Sequence, residues 1–130
     1  MMHDFIKQIK FWGKDISVKL VFEESGYSTN TQKEEAYQNF DNHINHYSDV
    51  SLAELKSYIH ANAAEILAYT SLPAIPRDVF KIVSIETIKF FSNNSIAVFC
   101  DTSWDSHGLA LFFQNGQCEA ITPDRVWFRT

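Results

Sequence analysis

Glycine, proline and cysteine are all scarce in this chain. Only four glycines and three prolines punctuate 130 residues, and the glycines never cluster, so no Gly-rich loop for cradling phosphate is encoded. Cys100 and Cys118 are too few for the bridge-dense scaffold of a small secreted domain, and they form no metal-ligand motif. No apolar run reaches the roughly 18 residues expected of a membrane helix. The opening Met1-Met2-His3-Asp4-Phe5 has neither the basic start nor the apolar core of an export signal. Positive charge is also short: 11 Lys and Arg stand against 16 Asp and Glu, a net −5. Residues 21–60 carry seven acids and two lysines. Nucleic-acid binding draws its affinity from neutralised phosphates, so this balance argues against it. Together these shortages predict a cytosolic protein with no membrane and no nucleic-acid partner. The acidity fits either plain solubility or a basic protein partner.

What is abundant is core material. An apolar content of 45% and an aromatic content of 15% in 130 residues suit a single domain spanning 1–130. Phe5 to Phe11 and Ile16 to Phe22 alternate in the manner of strands and, with a turn at Gly13-Lys14-Asp15, predict an opening β-hairpin wet on one side. Past Gly26, the loop ends in Ser28-Thr29-Asn30. Thr31-x-x-Glu34 then reads as a capping box for a helix from Gln32 to His46, with Ala36, Tyr37, Phe40 and Ile44 on its apolar stripe. A second box, Ser51-x-x-Glu54, predicts a helix that carries Leu52, Leu55, Ile59, Ala63 and Ile66 inward and ends near Tyr69, ahead of Pro73 and Pro76. A short turn over Tyr47 to Val50 would join the two helices. Arg77 to Val83 reads as a short helical turn. Four strands follow, at 85–91, 95–100, 109–113 and 117–121. Asn115-Gly116 supplies a tight type I′ turn that sets Phe113 opposite Cys118 and Leu111 opposite Ala120. The expected architecture is α+β in two layers, with an N-terminal hairpin, two packed helices and a mainly antiparallel four-stranded meander.

Chemistry-bearing residues gather between the second and third strands of that meander. His107 close to Asp105 or Asp101 has the makings of a carboxylate–imidazole pair for general-base work. The same residues also make an ordinary turn: Asp105 accepts backbone amides, Gly108 takes a conformation closed to other residues, and Trp104 covers a core edge. No nucleophile motif lies beside them, since Cys100 falls in an apolar strand and Ser103 and Ser106 lack an elbow context. Asp101, Trp104, Asp105 and His107 are therefore candidates for contact with a protein partner, because exposed aromatics beside acids suit recognition. His43-x-x-His46 with Asp41 has poor metal-binding geometry and belongs on a solvated helix face. Val126-Trp127-Phe128 reads as a last strand or turn packed on the sheet, or as further contact surface. No cofactor and no metal is implied.

Trp104, Asp105, His107, Gly108, Asn115, Gly116 and Asp124 resemble the pattern of an uncharacterised bacterial family marked by Trp-Asp-x-Glu-His-Gly. Gly13 after Phe11-Trp12, and the run Thr31-Gln32, Glu35-Ala36-Tyr37 and Phe40, match its front half. Here Ser106-His107 stands where the family has x-Glu-His, one residue shorter and without the glutamate, which counts against a family-wide catalytic role for the loop. Proteins of this kind are similar to immunity proteins of polymorphic toxin and contact-dependent growth inhibition systems. The resemblance implies a small acidic cytosolic protein that binds a cognate toxin domain, often a nuclease, and occludes its active site. The competing expectations are a domain that binds a small ligand between helices and sheet, and a small hydrolase using His107.

Overall fold

A computed structural model describes residues 3–24, 26–27 and 29–130. Met1, Met2 and Ser28, assigned from sequence to the opening and to the loop before the first helix, lie outside the described residues. The fold is α+β. Strands β1 (Phe5–Phe11) and β2 (Lys14–Phe22) are followed by helices α1 (Asn30–Asn42), α2 (Ile44–Ala61) and α3 (Ala63–Ala68). A 3-10 turn at Val79–Lys81 then leads into β3 (Val83–Phe90), β4 (Ile96–Thr102), β5 (Leu109–Gln114) and β6 (Gln117–Ile121), and a 3-10 segment, Pro123–Phe128, closes the described chain.

The strands form one six-stranded sheet in sequence order. The sheet is mixed, because β2 and β3 run parallel while the other neighbours are antiparallel. The expected hairpin and meander are therefore not separate units. Parallel neighbours need a long crossover, and the three helices supply it. The expected two layers also fall short of what is present. Ile96 to Val98 and Leu109 to Phe113 are buried along their length, inward and outward positions alike. One face packs under the helices. On the other, Phe91, Ala97, Ala110, Phe112 and Ile121 form a second cluster around Val126 of the C-terminal 3-10 segment. That segment is neither strand nor simple turn, and it leaves Trp127 and Phe128 exposed.

The helix boundaries differ from expectation for a physical reason. The first cap is Thr29, whose Oγ1 accepts from the Gln32 amide at 3.2 Å. The break between α1 and α2 falls at His43, whose amide bonds the Asn39 and Phe40 carbonyls and whose Nδ1 lies 2.8 Å from Asn39 O. Tyr47 to Val50, expected as a turn, is helical, and Ser51 is buried mid-helix instead of capping. The Ser51 hydroxyl donates to Ser48 O at 3.1 Å and accepts from the Trp12 indole Nε1 at 2.9 Å. Ser48 Oγ in turn accepts the Trp12 backbone N–H at 2.8 Å. The β1–β2 turn is Trp12-Gly13, with φ of 52° and 78°, a residue or two before the expected position.

Trp12 thus occupies left-handed backbone that costs a non-glycine residue about 1–2 kcal/mol, and it is held there by two hydroxyls of α2. One turn further along α2, Glu54 Oε1 accepts the Ala120 amide of the edge strand β6 at 3.2 Å. Ser51 and Glu54 reach opposite edges of the sheet, so the sheet curls around α2. Aromatic contacts fill the curl. Phe40 meets Phe90 and Tyr47 at centroid distances of 5.4 and 5.2 Å, and Tyr47 meets Phe113 edge-on at 5.0 Å. The expected inward residues Leu55, Ile59 and Ile66 are buried, and the Asn115-Gly116 turn sets the expected register.

Ser51→Ala leaves the buried Trp12 N–H without an acceptor. Urea unfolding of the variant should show a loss of about 1–3 kcal/mol at unchanged m. A change below about 0.5 kcal/mol would mean that the Ser51 hydroxyl does not hold the turn.

Candidate interaction site

The loop between β4 and β5 is built around Asp105. Its Oδ1 accepts the His107 amide at 2.9 Å and lies 3.2 Å from His107 Nδ1. Its carbonyl accepts from Thr102 Oγ1 at 3.0 Å and from the Gly108 amide at 3.1 Å. The base of the loop is tied down by Ser103 N donating to Ile82 O at 2.9 Å. The His107 amide, followed by its ring, holds the Asp105 carboxyl below the usual carboxylate range. Gly108 sits at φ +76°, and a β-carbon there would run into the Cys100 carbonyl. Trp104 is half-buried against the helix-side core, whereas the His107 side chain is 86% exposed. Of the two carboxylates that the sequence offered to His107, Asp105 is the one that pairs with it.

The thiols are poor nucleophiles. Burial pushes the Cys100 thiol far above its ordinary value and raises that of Cys118 to about 12. His43 and His46 are exposed, and no group of three or more His, Cys, Asp or Glu able to hold a metal is found among the described residues. No helix among the described residues is long and apolar enough to cross a membrane.

The other part of the site was not legible from strand alternation. Asp101 lies opposite Ser84 near the end of β4, and the β3–β4 register slips between Ile85 and Thr87. Glu86 is the extra residue of that bulge. A bulge re-aims a side chain, and here the neighbouring Asp101 carboxyl is the first cause of the raised Glu86 pKa, ahead of a small loss of hydration. Two neighbouring carboxylates repel each other when both are ionised, which favours the protonated form of Glu86. Neither carboxylate forms an ion pair among the described residues. Asp101 also borders an open cleft of about 270 Å³ with Lys81, Ser84 and Ser103. The acidic field reaches α2 as well: Tyr58 is raised first by burial, then by Glu65 and Asp105. Asp101, Glu86 and the Trp104 loop therefore occupy one end of the sheet.

A family model for a domain of unknown function, DUF6985, matches residues 3–127. The chain belongs to the DUF6985 family. No curated protein and no solved structure matches it. The match takes in every strand and helix of this DUF6985 domain, from β1 through most of the C-terminal 3-10 segment.

The loop and the acid pair make separate predictions. Gly108→Ala combines a left-handed backbone with a clash on β4 and should cost more than about 2 kcal/mol, while His107→Ala should stay within about 0.5 kcal/mol. Equal effects in denaturant titrations would mean that the imidazole, and not the backbone, holds the loop. For Glu86, a folded pKa above the unfolded one means that its favourable contribution is complete at low pH and lost as pH rises through the folded pKa. Glu86→Gln should therefore raise the melting temperature at neutral pH, and the gain should shrink as the pH falls into the carboxylate range. A gain that does not change with pH would contradict the coupling of Glu86 to Asp101.

Proposed function

We propose that this DUF6985 domain is a non-enzymatic, immunity-type protein of the cytosol. It binds a cognate toxin domain, most simply a nuclease with a basic substrate cleft, and occludes its active site. The observation that carries the reading is the Glu86–Asp101 pair, two neighbouring carboxyls at the β3 bulge of which neither is in an ion pair among the described residues. A basic partner would replace a like-charge contact with opposite-charge ones, and the gain would appear chiefly in encounter rate and specificity. Asp105 and His107 extend the surface through the loop, and Trp104 gives the loop a fixed base. The net charge of −5 and the likeness of the Trp104 to Gly108 motif to immunity families support the same reading.

Calorimetry and kinetics with the toxin encoded beside this gene test it. A tight complex and loss of toxin activity are expected. The double variant Glu86→Gln, Asp101→Asn should associate about tenfold more slowly at low ionic strength, and the difference should narrow at high salt. Absence of binding at micromolar concentrations overturns the proposal.

A further inference from the structure

The opposite end of the sheet holds a second feature. A cavity of about 520 Å³ opens between α1 and the turn that joins β3 to β4, within the roughly 300–1,000 Å³ of small-molecule sites. Its half-buried aromatic walls are Tyr27 and Tyr47, with Phe90 beneath them. Tyr47 is fixed by its edge-on contact with Phe113 and its packing on Phe40. Phe90 is buried against Phe22 and Phe40, and the Phe91 ring belongs to the cluster on the other face. The Tyr27 hydroxyl is buried without a hydrogen-bond partner among the described residues. Burial, and then the neighbouring Glu23, push its pKa up to about 12.

Charge at this cavity has one sign. Glu35 lines it, and Glu23 stands behind the wall residue Ser92, accepting its amide at 3.2 Å and its hydroxyl at 2.8 Å. No lysine, arginine or histidine lines it among the described residues. The ammonium of Lys33, also on α1, lies over the Phe22 ring at 5.9 Å. Aromatic faces attract cations through their quadrupole, and carboxylates at the rim add to the same field while repelling anions. A neutral apolar ligand would use the rings and leave the two carboxylates without a counter-charge.

We propose that this cavity binds a small organic ammonium compound, its cationic head taken by the aromatic walls and Glu35 with Glu23 reinforcing the field. The site is separate from the acid pair at the other end of the sheet, and the inference does not depend on toxin binding. Choline is a suitable probe, with the neutral alcohol that has carbon in place of its nitrogen as the control. In an amide-resolved NMR titration of the full chain, choline should shift Tyr27, Asn39 and Ser92 saturably, while the neutral alcohol binds about tenfold more weakly. Glu35 is exposed, so Glu35→Gln should fold normally and weaken choline several-fold. Phosphatidylcholine vesicles should not sediment the protein; sedimentation would assign the chemistry to a lipid headgroup and overturn the free-ligand proposal. Equal affinity for the neutral alcohol, indifference to Glu35→Gln, or no saturable shift at millimolar choline would also overturn it.

Discussion

One turn of helix, from Ser51 to Glu54, holds the two edges of the sheet toward each other. Through Ser51 and its neighbour Ser48, α2 satisfies both N–H groups of Trp12 at the β1–β2 turn. Through Glu54 it supplies an acceptor for an outward amide of β6. An open six-stranded sheet would otherwise present unpaired groups along its edge, a standing invitation to association. Here β6 is in part paired with a side chain, and the curl encloses the aromatic contacts among Phe40, Tyr47, Phe90 and Phe113. The parallel β2–β3 pair follows from the same arrangement. The chain leaves β2 at one end of the sheet and must re-enter β3 from the other, and the helices that make the crossing bury their apolar stripes on the way.

The sequence made the strands legible, because alternation survives wherever one face is wet. β1 and β6 lie where the pattern placed them, and Asn115-Gly116 set the register of the last hairpin as its turn chemistry requires. The helix starts were misread because two Ser/Thr-x-x-Glu patterns resemble capping boxes. Thr29-x-x-Gln32 satisfies the same chemistry two residues earlier, and Ser51 is consumed by a tryptophan 39 residues away. Local pattern carries no information about such a partner. The second layer of burial was missed for a related reason: β4 and β5 are apolar at both phases, which says that both faces are covered without saying by what. The cover is Val126, on the segment expected as a last strand or turn packed on the sheet, which packs there as a 3-10 helix.

The candidate sites divide along the same line. The Trp104 to Gly108 loop was visible because its residues are contiguous and its turn is local. Glu86 was invisible, since a bulge shifts the phase of β3 by one residue and the pairing with Asp101 exists only across strands. The cavity at the other end draws on the segment before α1, on α1 and α2, and on the β3–β4 turn, none of which signals a site alone.

Trp12 and the Glu86–Asp101 pair each break a local rule, and the contrast between them bears on function. Trp12 takes a backbone conformation that suits glycine, a cost the fold answers internally with two hydroxyl acceptors and a buried ring. Nothing outside the molecule is needed to explain it, so its role is structural. Glu86 and Asp101 set like charges near each other on an exposed part of the sheet, and neither is in an ion pair among the described residues. Sequences generally agree with their folds at every level and depart from them where function asks. A departure compensated within the chain belongs to folding. One left uncompensated at the surface is eased by water, by salt and by protonation, and a basic partner of the kind proposed would add opposite charge where these act weakly.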